Sequence, residues 1–565
     1  MTSFISKAGW RGVALIFCVG LLSHGLLLFT DHVVWDGWWQ FADVAWKGGP
    51  TVTAKHLAEV GRPLDLVYYK PFCLVSDFAS RVWLSKFFGS LAWIASAVMM
   101  AGVLARGARI PRTVAVGVGA NVAACPVFVL LGEFSLWMYT SAVFLFWVGW
   151  SILVYLPRLP VRSALFLRLP ALAVFFLSFN LNSLLVLFYS VCILLMLVRL
   201  RGIGFRRFPE RALSLALRKC DFLLLPVLFW IWRLLFCPKS GPYVGYNTLD
   251  FAPGKLWVGA GEAYRQLLLP WAEGILEPSG WIYVAALVCL VFGWFQRRSR
   301  ANETVSARPP VGMFFAGIFL LLAAVFPYLA VGQIPSAEGW SSRNAILTPL
   351  PLALALTSSF VFLSRRIWPG SPNAWQLVAA AWIVLSTGQC IRNYLSLQGL
   401  GAKHETISRR INEIIAGDPP ALIQLRDYFR LPGTIDSYPP GIWTLLPTKG
   451  SIDPKTFVIE TVASAPDQAR SDDAGRVMYD PVWFAVSGKG LADAIEATTL
   501  AHTMEGIPRQ GRHVGLLVRP VRQDGDAAKL GLDYLWTKWF DRTQMNRFLA
   551  SIATSEFGEL PPVTE

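Results

Sequence analysis

Apolar residues dominate the first 393 positions in long stretches, broken by short clusters of Arg, Lys, Gly and Pro. A helix that crosses a bilayer needs about 20 predominantly apolar residues. The first such stretch, about Val13 to Thr30, follows Lys7 and Arg11 and has no A-x-A cleavage pattern before Asp31, so it predicts an uncleaved span. Stretches at about 87–105, 113–131, 134–156, 220–236, 281–296, 311–330, 345–364 and 375–393 predict further spans. Between Arg168 and Arg199 the stretch is too long for one upright helix and is interrupted by Asn180, Leu181, Asn182 and Ser183, which predicts two short helices joined by a polar turn. The expected total is about eleven spans.

Two segments between spans are large. Asp31–Lys86 carries Trp35, Trp38, Trp39 and Trp46, aromatics that favour a membrane–water interface, and predicts short helices lying on the membrane. Pro238–Ser279 is rich in Gly, Pro and Tyr and predicts a loop with one helix near Ala263–Trp271. From residue 394 onward the pattern becomes that of a soluble domain. It predicts a helix over His404–Ala416, strands over Phe457–Thr461, Val482–Val486 and His513–Val518, and an amphipathic helix over Thr543–Ile552. The expected fold is an α-helical polytopic membrane protein, residues 1–393, followed by a C-terminal extracytoplasmic α/β or α+β soluble domain, residues 394–565.

Composition agrees. Of 565 residues 54% are hydrophobic and 15% charged, with a mean hydropathy of +0.47; soluble chains average about 25% charged residues, so an exterior wetted on all sides is excluded. The net charge of +15 takes its meaning from position. With the N-terminus in the cytoplasm, the cytoplasmic segments hold Lys7, Arg11, Arg106, Arg109, Arg112, Arg158, Arg162, Arg168 and the cluster Arg199–Lys219. They continue through Arg297, Arg298, Arg300 and Arg308 to Arg365 and Arg366, against only Glu210, Asp221 and Glu303. This is the positive-inside pattern of an inner-membrane protein, and it leaves the tail outside the cytoplasm. The charge therefore gives no support to a nucleic-acid partner. Reading 169–198 as one span would place the Arg199–Lys219 cluster outside, so the charges favour the broken pair.

The eight Cys have no paired spacing and predict neither a zinc site nor a disulfide framework; Cys73 and Cys237 alone would share the outer side, with unpaired thiols the simpler expectation. There is no P-loop, no H-E-x-x-H and no G-x-S-x-G. What stands out is the polar residues at the outer ends of the spans. Asp31 and Asp36 follow the first span among Trp residues, where desolvation suits a carboxylate to general-base work; the alternatives are a helix cap at Asp31 and an Asp36-Gly37 turn. Arg62, before Pro63, is placed for an anion at a helix start or for an interfacial lipid phosphate. Ser341, Ser342, Arg343 and Asn344 directly precede a span, where free N–H groups, hydroxyls and a guanidinium favour phosphate, or where Ser and Asn simply cap. Glu133 sits alone in a short outer turn, either as a second acidic residue of a site or as a solvated turn residue.

A first span ending in the Asp31–Asp36 segment, a large first outer loop with Gly61-Arg62-Pro63-Leu64, short outer turns and an external tail resemble the GT-C superfamily of multi-pass glycosyltransferases. The resemblance covers residues 1 to about 393 and is one of architecture. It implies transfer of a sugar from a polyprenyl-phosphate donor to an envelope glycan or lipid acceptor, amid membrane lipids. Asp36, or less well Asp31, would be the base, and Arg343 with Arg62 would hold the donor phosphate beside Ser342 and Asn344. No D-x-D or adjacent Asp-Glu pair follows the first span, so no motif supports a divalent metal, and no other cofactor is implied. The competing classes are a transporter or lipid flippase, which broken helices also suit, and a non-catalytic envelope assembly protein.

Overall fold

The computed structural model describes residues 7–33, 54–55, 57–131, 133, 136–156, 161–240, 249, 252–276, 311–337, 340–368, 374–416, 422–427, 458–462, 470–471, 477–478, 513–521 and 526–559. It has the architecture of an α-helical, multi-pass membrane protein. Among the described residues seven helices are long and apolar enough to cross a membrane: Trp10–Phe29, Phe78–Arg106, Trp137–Tyr155, Ser183–Leu200, Val311–Leu329, Pro349–Ile367 and Ala374–Ile411. The expected span at 281–296 and the expected strand Val482–Val486 lie outside the described residues.

The helices are α1 (Lys7–His24, continued by a 3-10 turn Gly25–Phe29), α2 (Asp65–Cys73), α3 (Phe78–Arg106), α4 (Arg112–Ala123), α5 (Trp137–Tyr155), α6 (Val161–Ser178), α7 (Ser183–Leu200) and α8 (Phe208–Leu217). They continue as α9 (Cys220–Phe236), α10 (Pro253–Leu276), α11 (Val311–Leu329), α12 (Pro349–Ile367), α13 (Ala374–Ala416), α14 (Ala527–Phe540) and α15 (Met545–Ile552). The turn between α6 and α7 falls at residues 179–182, where the polar interruption predicts it. One end of the bundle gathers the basic clusters: Arg106 lies over the Tyr155 ring at 4.4 Å, and Arg168 of α6 ion-pairs with Asp221 of α9. The core between α5, α6, α7 and α9 is aromatic, with Phe175 in ring contact with Phe146, Trp150, Phe179, Phe188 and Phe222. All of these contacts are edge-to-face except the stacked Phe175–Phe179 pair, and aromatic pairs in either geometry contribute beyond area burial alone.

Several boundaries differ from the sequence expectation. Helix α3 begins at Phe78, capped by Asp77, whose carboxylate accepts from Ser80 N at 2.7 Å, so Lys86 belongs to the helix and not to the loop. The apolar stretch 113–131 is helical only to Ala123, because Pro126 cannot continue the ladder; residues 124–131 form buried turns. The stretch 345–364 becomes helical only at Pro349, a residue suited to the first helical position. Gly317 of α11 meets the Pro351 carbonyl and Ala355 amide at 2.9 and 2.8 Å from where a Cβ would stand. The first turns of α12 are therefore level with the first half of α11, and residues 340–348 lie folded back into the bundle. Non-helical backbone at that depth is tolerated because it is enclosed by protein: Ser342 and Asn344 through Thr348 are buried, and Ala345 shares a cluster with Cys125 and Val127.

The composition changes at residue 394, but α13 runs without a break through that position for 43 residues. The segment expected as a separate helix over His404–Ala416 is its last three turns. Beyond it, β1 (Leu422–Asp427), β2 (Val458–Val462), β3 (His513–Pro520) and β4 (Ala553–Glu559) form a sheet of order β2-β1-β3-β4, with β3 and β4 antiparallel and the other pairs parallel. Val514, Leu516 and Val518, alternating along β3, join the cluster that includes Ile407, Ile411 and Ile414 of α13. Helix α14 crosses α13 at two glycines. A Cβ on Gly531 would stand 1.9 Å from the Leu395 carbonyl and one on Gly399 2.2 Å from the Ala527 carbonyl, so only glycine permits this approach.

Candidate functional site

The end of the bundle opposite the basic clusters carries two polar groups of side chains. The first is organised by Gly61. Gly61, at φ 74°, ends a short helix in the left-handed region, and the amides of Gly61 and Arg62 bond back to Ala58 and Leu57 at 2.9 and 2.8 Å. This closure points Arg62 inward. Its Nε meets Asp65 Oδ2 at 2.9 Å, and its Nη1 donates to the Tyr139 hydroxyl at 2.7 Å. Asn180 donates to the other Asp65 oxygen, and the neighbouring Asn182 accepts from Arg233. Ser183, next in the turn, bonds the Tyr328 hydroxyl at 3.1 Å. Tyr328 lies within electrostatic range of both Arg62 and Arg343. The polar turn that breaks the α6–α7 hairpin is thus the hub of a cluster drawn from α2, α5, α9, α11 and the segment before α12.

Burial pushes the Asp65 carboxyl up, against the opposing pull of Arg62, Arg233 and Asn180. Burial also works against the Arg62 charge, but Asp65 and Tyr139 outweigh it and keep the guanidinium firmly protonated. Arg62 and Arg233 both act on the Asp65 carboxylate, and Arg343 together with Arg62 acts on Tyr328. Among the described residues of the cluster arginines outnumber carboxylates, in a partly dehydrated setting that suits an anion.

The second group surrounds Lys86. Fully buried on α3, Lys86 donates to Thr30 O at 3.0 Å, Thr30 Oγ1 at 3.1 Å and His32 O at 2.9 Å, fixing the chain as it leaves the first span. Both Asp31 and Glu133 act electrostatically on it. Glu133 is buried, at 3% exposure, which overturns the reading of a solvated turn residue. Asp31 Oδ1 accepts from Gln398 at 2.7 Å, its amide donates to Gln398 Oε1 at 3.0 Å, and its other oxygen pairs with Lys538 of α14. Burial works to raise the Asp31 carboxyl, but Lys538, Lys86 and Gln398 outweigh it and hold it below the usual range. A carboxylate with both oxygens engaged and its charge compensated is a weak base. His32 beside it is buried, and burial together with Lys86 keeps its ring neutral, well below the ordinary histidine range.

The phosphate motif takes a different form from the one the sequence predicts. Trp340–Ala345 is a 3-10 turn, and the long helix starts only at Pro349, so Arg343 does not stand at the N-terminus of α12. Pro349 and Pro351 also lack the N–H groups such a terminus would offer. Two polar atoms in the turn are nevertheless left over: Ser342 Oγ and Asn344 Nδ2, on residues 0% and 7% exposed, have no hydrogen-bond partner among the described residues. Buried polar groups are rarely left so. Asp36 lies outside the described residues.

The structure therefore brings Arg62 and Arg343 to one cluster and Asp31 and Glu133 to another. Sequence reasoning missed Asp65, Tyr139, Tyr328, Lys86, Gln398 and Lys538. Two of these had a signal: Asp65 stands three residues after Arg62, a spacing that pairs charges on a helical turn, and Lys86 is a cation inside an apolar stretch. Among the described residues no group of three or more His, Cys, Asp and Glu side chains could hold a metal ion. Comparison of the chain with protein-family models, curated proteins and solved structures gave no match.

Proposed function

We propose that this protein is a membrane glycosyltransferase that moves a sugar from a polyprenyl-phosphate donor to an acceptor of the cell envelope. The observation that carries the reading is Arg62 and Arg343 acting together on Tyr328, with Arg233 beside Arg62 and Asp65, next to a buried turn whose Ser342 Oγ and Asn344 Nδ2 have no hydrogen-bond partner among the described residues. Such a site is prepared for the oxygens of a phosphate and for the charge that grows on it as the glycosidic bond breaks. Arg343, with the two unpartnered groups, holds the donor phosphate. Arg62, already committed to Asp65 and Tyr139, tunes the field. Asp36 takes the proton of the acceptor hydroxyl as it attacks the anomeric carbon, while Asp31, ion-paired, positions the segment that carries Asp36. The topology that goes with this reading has about eleven spans in the inner membrane. They are the seven long helices, α4 with its turns, α6, α9 and the stretch 281–296, with the N-terminus cytoplasmic and the C-terminal domain outside.

The test is transfer of radiolabel from a panel of polyprenyl-phosphate sugars to envelope extract by the purified protein. Loss of transfer in Asp36→Asn and loss of donor binding in Arg343→Ala are expected. Full activity in Asp36→Asn would remove the base, and unchanged donor binding in Arg343→Ala would remove the phosphate site. One observation favours a transporter instead: Lys86 is an ionisable group buried within a span, next to Glu133 and Asp31. Movement of a lipid-linked sugar across proteoliposomes without any acceptor becoming labelled would select that reading.

A further inference from the structure

Helix α14 is far from the basic end of the bundle and belongs, by sequence, to the soluble tail. Its inner side is committed: Ala527, Ala528, Gly531, Tyr534 and Leu535 are buried, mainly against α13. Its outer side is not uniform. The first two turns expose Lys529 and Asp533 beside Leu532, whereas the later turns expose Trp536, Trp539 and Phe540; the four apolar side chains are from 49% to 74% exposed. Spacings of four, seven and eight residues place those four apolar side chains on one face. A contiguous patch with two Trp and a Phe is not usual on a water-facing helix.

The neighbour of this patch says what covers it. Trp539 makes an edge contact with Phe29, ring centres 6.3 Å apart, and Phe29 closes the first span. Phe29 is itself 58% exposed, as are Leu22 and Leu15 below it to a similar degree, so the surface it ends is the lipid-facing side of that span. The apolar patch of α14 is therefore continuous with a surface already in hydrocarbon. Its polar start, at Lys529 and Asp533, lies two turns further from Phe29.

We infer that α14 lies in the bilayer interface at the end of the first span, with Leu532, Trp536, Trp539 and Phe540 seated at the boundary between lipid headgroups and acyl chains. Amphipathic helices bind there through an apolar face of this kind, with Trp favoured at that depth. The Gly399–Gly531 crossing and the Lys538–Asp31 ion pair hold the helix at a fixed height on the bundle. The tail thus has its own contact with the membrane.

The full-length protein in vesicles of phosphatidylcholine and phosphatidylglycerol tests this, with benzoylphenylalanine placed singly at 536, 540 or the exposed Arg547. The photoreactive residue is large and aromatic, so the first two positions keep their character. Irradiation should give several-fold more lipid adduct at 536 and 540 than at 547. Equal lipid yields at all three positions would overturn the inference, as would adducts at 536 and 540 with a second copy of the chain in place of lipid.

Discussion

Lys538 of the C-terminal helix α14 ion-pairs with Asp31 at the end of the first span, joining residues 507 positions apart in sequence. The Asp31 side chain is 46% exposed, so the pair contributes at most about 1 kcal/mol. A double-mutant cycle on Asp31→Asn and Lys538→Ala, read by chemical denaturation in detergent, should give a coupling within that limit. Because the folded carboxyl titrates below the ordinary Asp value of 3.8, the pair's contribution is present above that pH and is lost as pH falls through the lowered value. Protease protection of the tail should decline there in the wild-type chain, and Asp31→Asn should lose that part of the decline.

Histidine 32 gives the opposite end of the acid range. Its ring is neutral in the folded chain well below the ordinary value of 6.5, whereas the unfolded chain gains a proton as pH drops through 6.5. Stability therefore falls as pH decreases from about 6.5. In His32→Gln the slope of unfolding free energy against pH between 6.5 and 5 should be shallower by up to one proton. An unchanged slope would place the His32 ring in water.

Glycine 531 sets how closely the tail docks. Gly531→Ala puts a methyl group 1.9 Å from the Leu395 carbonyl, and a misfit of this kind costs about 1–3 kcal/mol. The unfolding midpoint should drop and proteolysis between β3 and α15 should quicken. Gly254→Ala, with open space around the new methyl group, should leave both unchanged.

How much of this was visible beforehand depends on whether polarity or only shape marks the feature. The α6–α7 break is legible because Asn180 and Asn182 interrupt an apolar stretch, and the basic loops are legible because charge has to stay at a membrane face. The buried turns at 124–131 are as apolar as a helix, so hydropathy runs through them; Pro126 is the residue that carries the signal, and Pro349 does the same for α12. The strand β3 and the helix around Met545–Ile552 follow from alternation and amphipathicity. Lys538 has no local mark of any kind, since what it meets is decided by the crossing of α13 and α14. The Arg62 site is half legible: the arginine and its turn glycine can be read, while its partners Tyr139 and Asn180 come from other spans.

The buried pair Arg62–Asp65 should behave as a unit. Removing Arg62 alone leaves the buried Asp65 with Asn180 and the charge of Arg233, and breaking a fully buried pair costs about 3–5 kcal/mol, so a loss at or below the lower end of that range is expected. Arg62→Met combined with Asp65→Leu should recover most of that loss in thermal unfolding. A double variant as unstable as Arg62→Ala would mean that Tyr139 and Asn180 depend on the charges for their placement.

Serine 342 separates a ligand site from a packing fault. A buried hydroxyl without a partner costs about 1–3 kcal/mol, so Ser342→Ala should leave the ligand-free protein as stable or more so. Addition of a polyprenyl-phosphate sugar should raise the melting temperature of the wild-type chain, and this rise should shrink in the variant. Equal rises in both would detach Ser342 from the proposed phosphate site.

Helix α13 has no break in its 43 residues and so extends about 65 Å at 1.5 Å per residue. Along that one rod Cys390 and Tyr394 touch the α1–α4 junction, Gln398 holds Asp31, and Ile407, Ile411 and Ile414 lie in the cluster with the sheet. With no break between these stations, the sheet, Asp31 and the α1–α4 junction are strung on one rod, so a displacement of the sheet relative to the bundle is carried to Asp31 through the helix backbone itself.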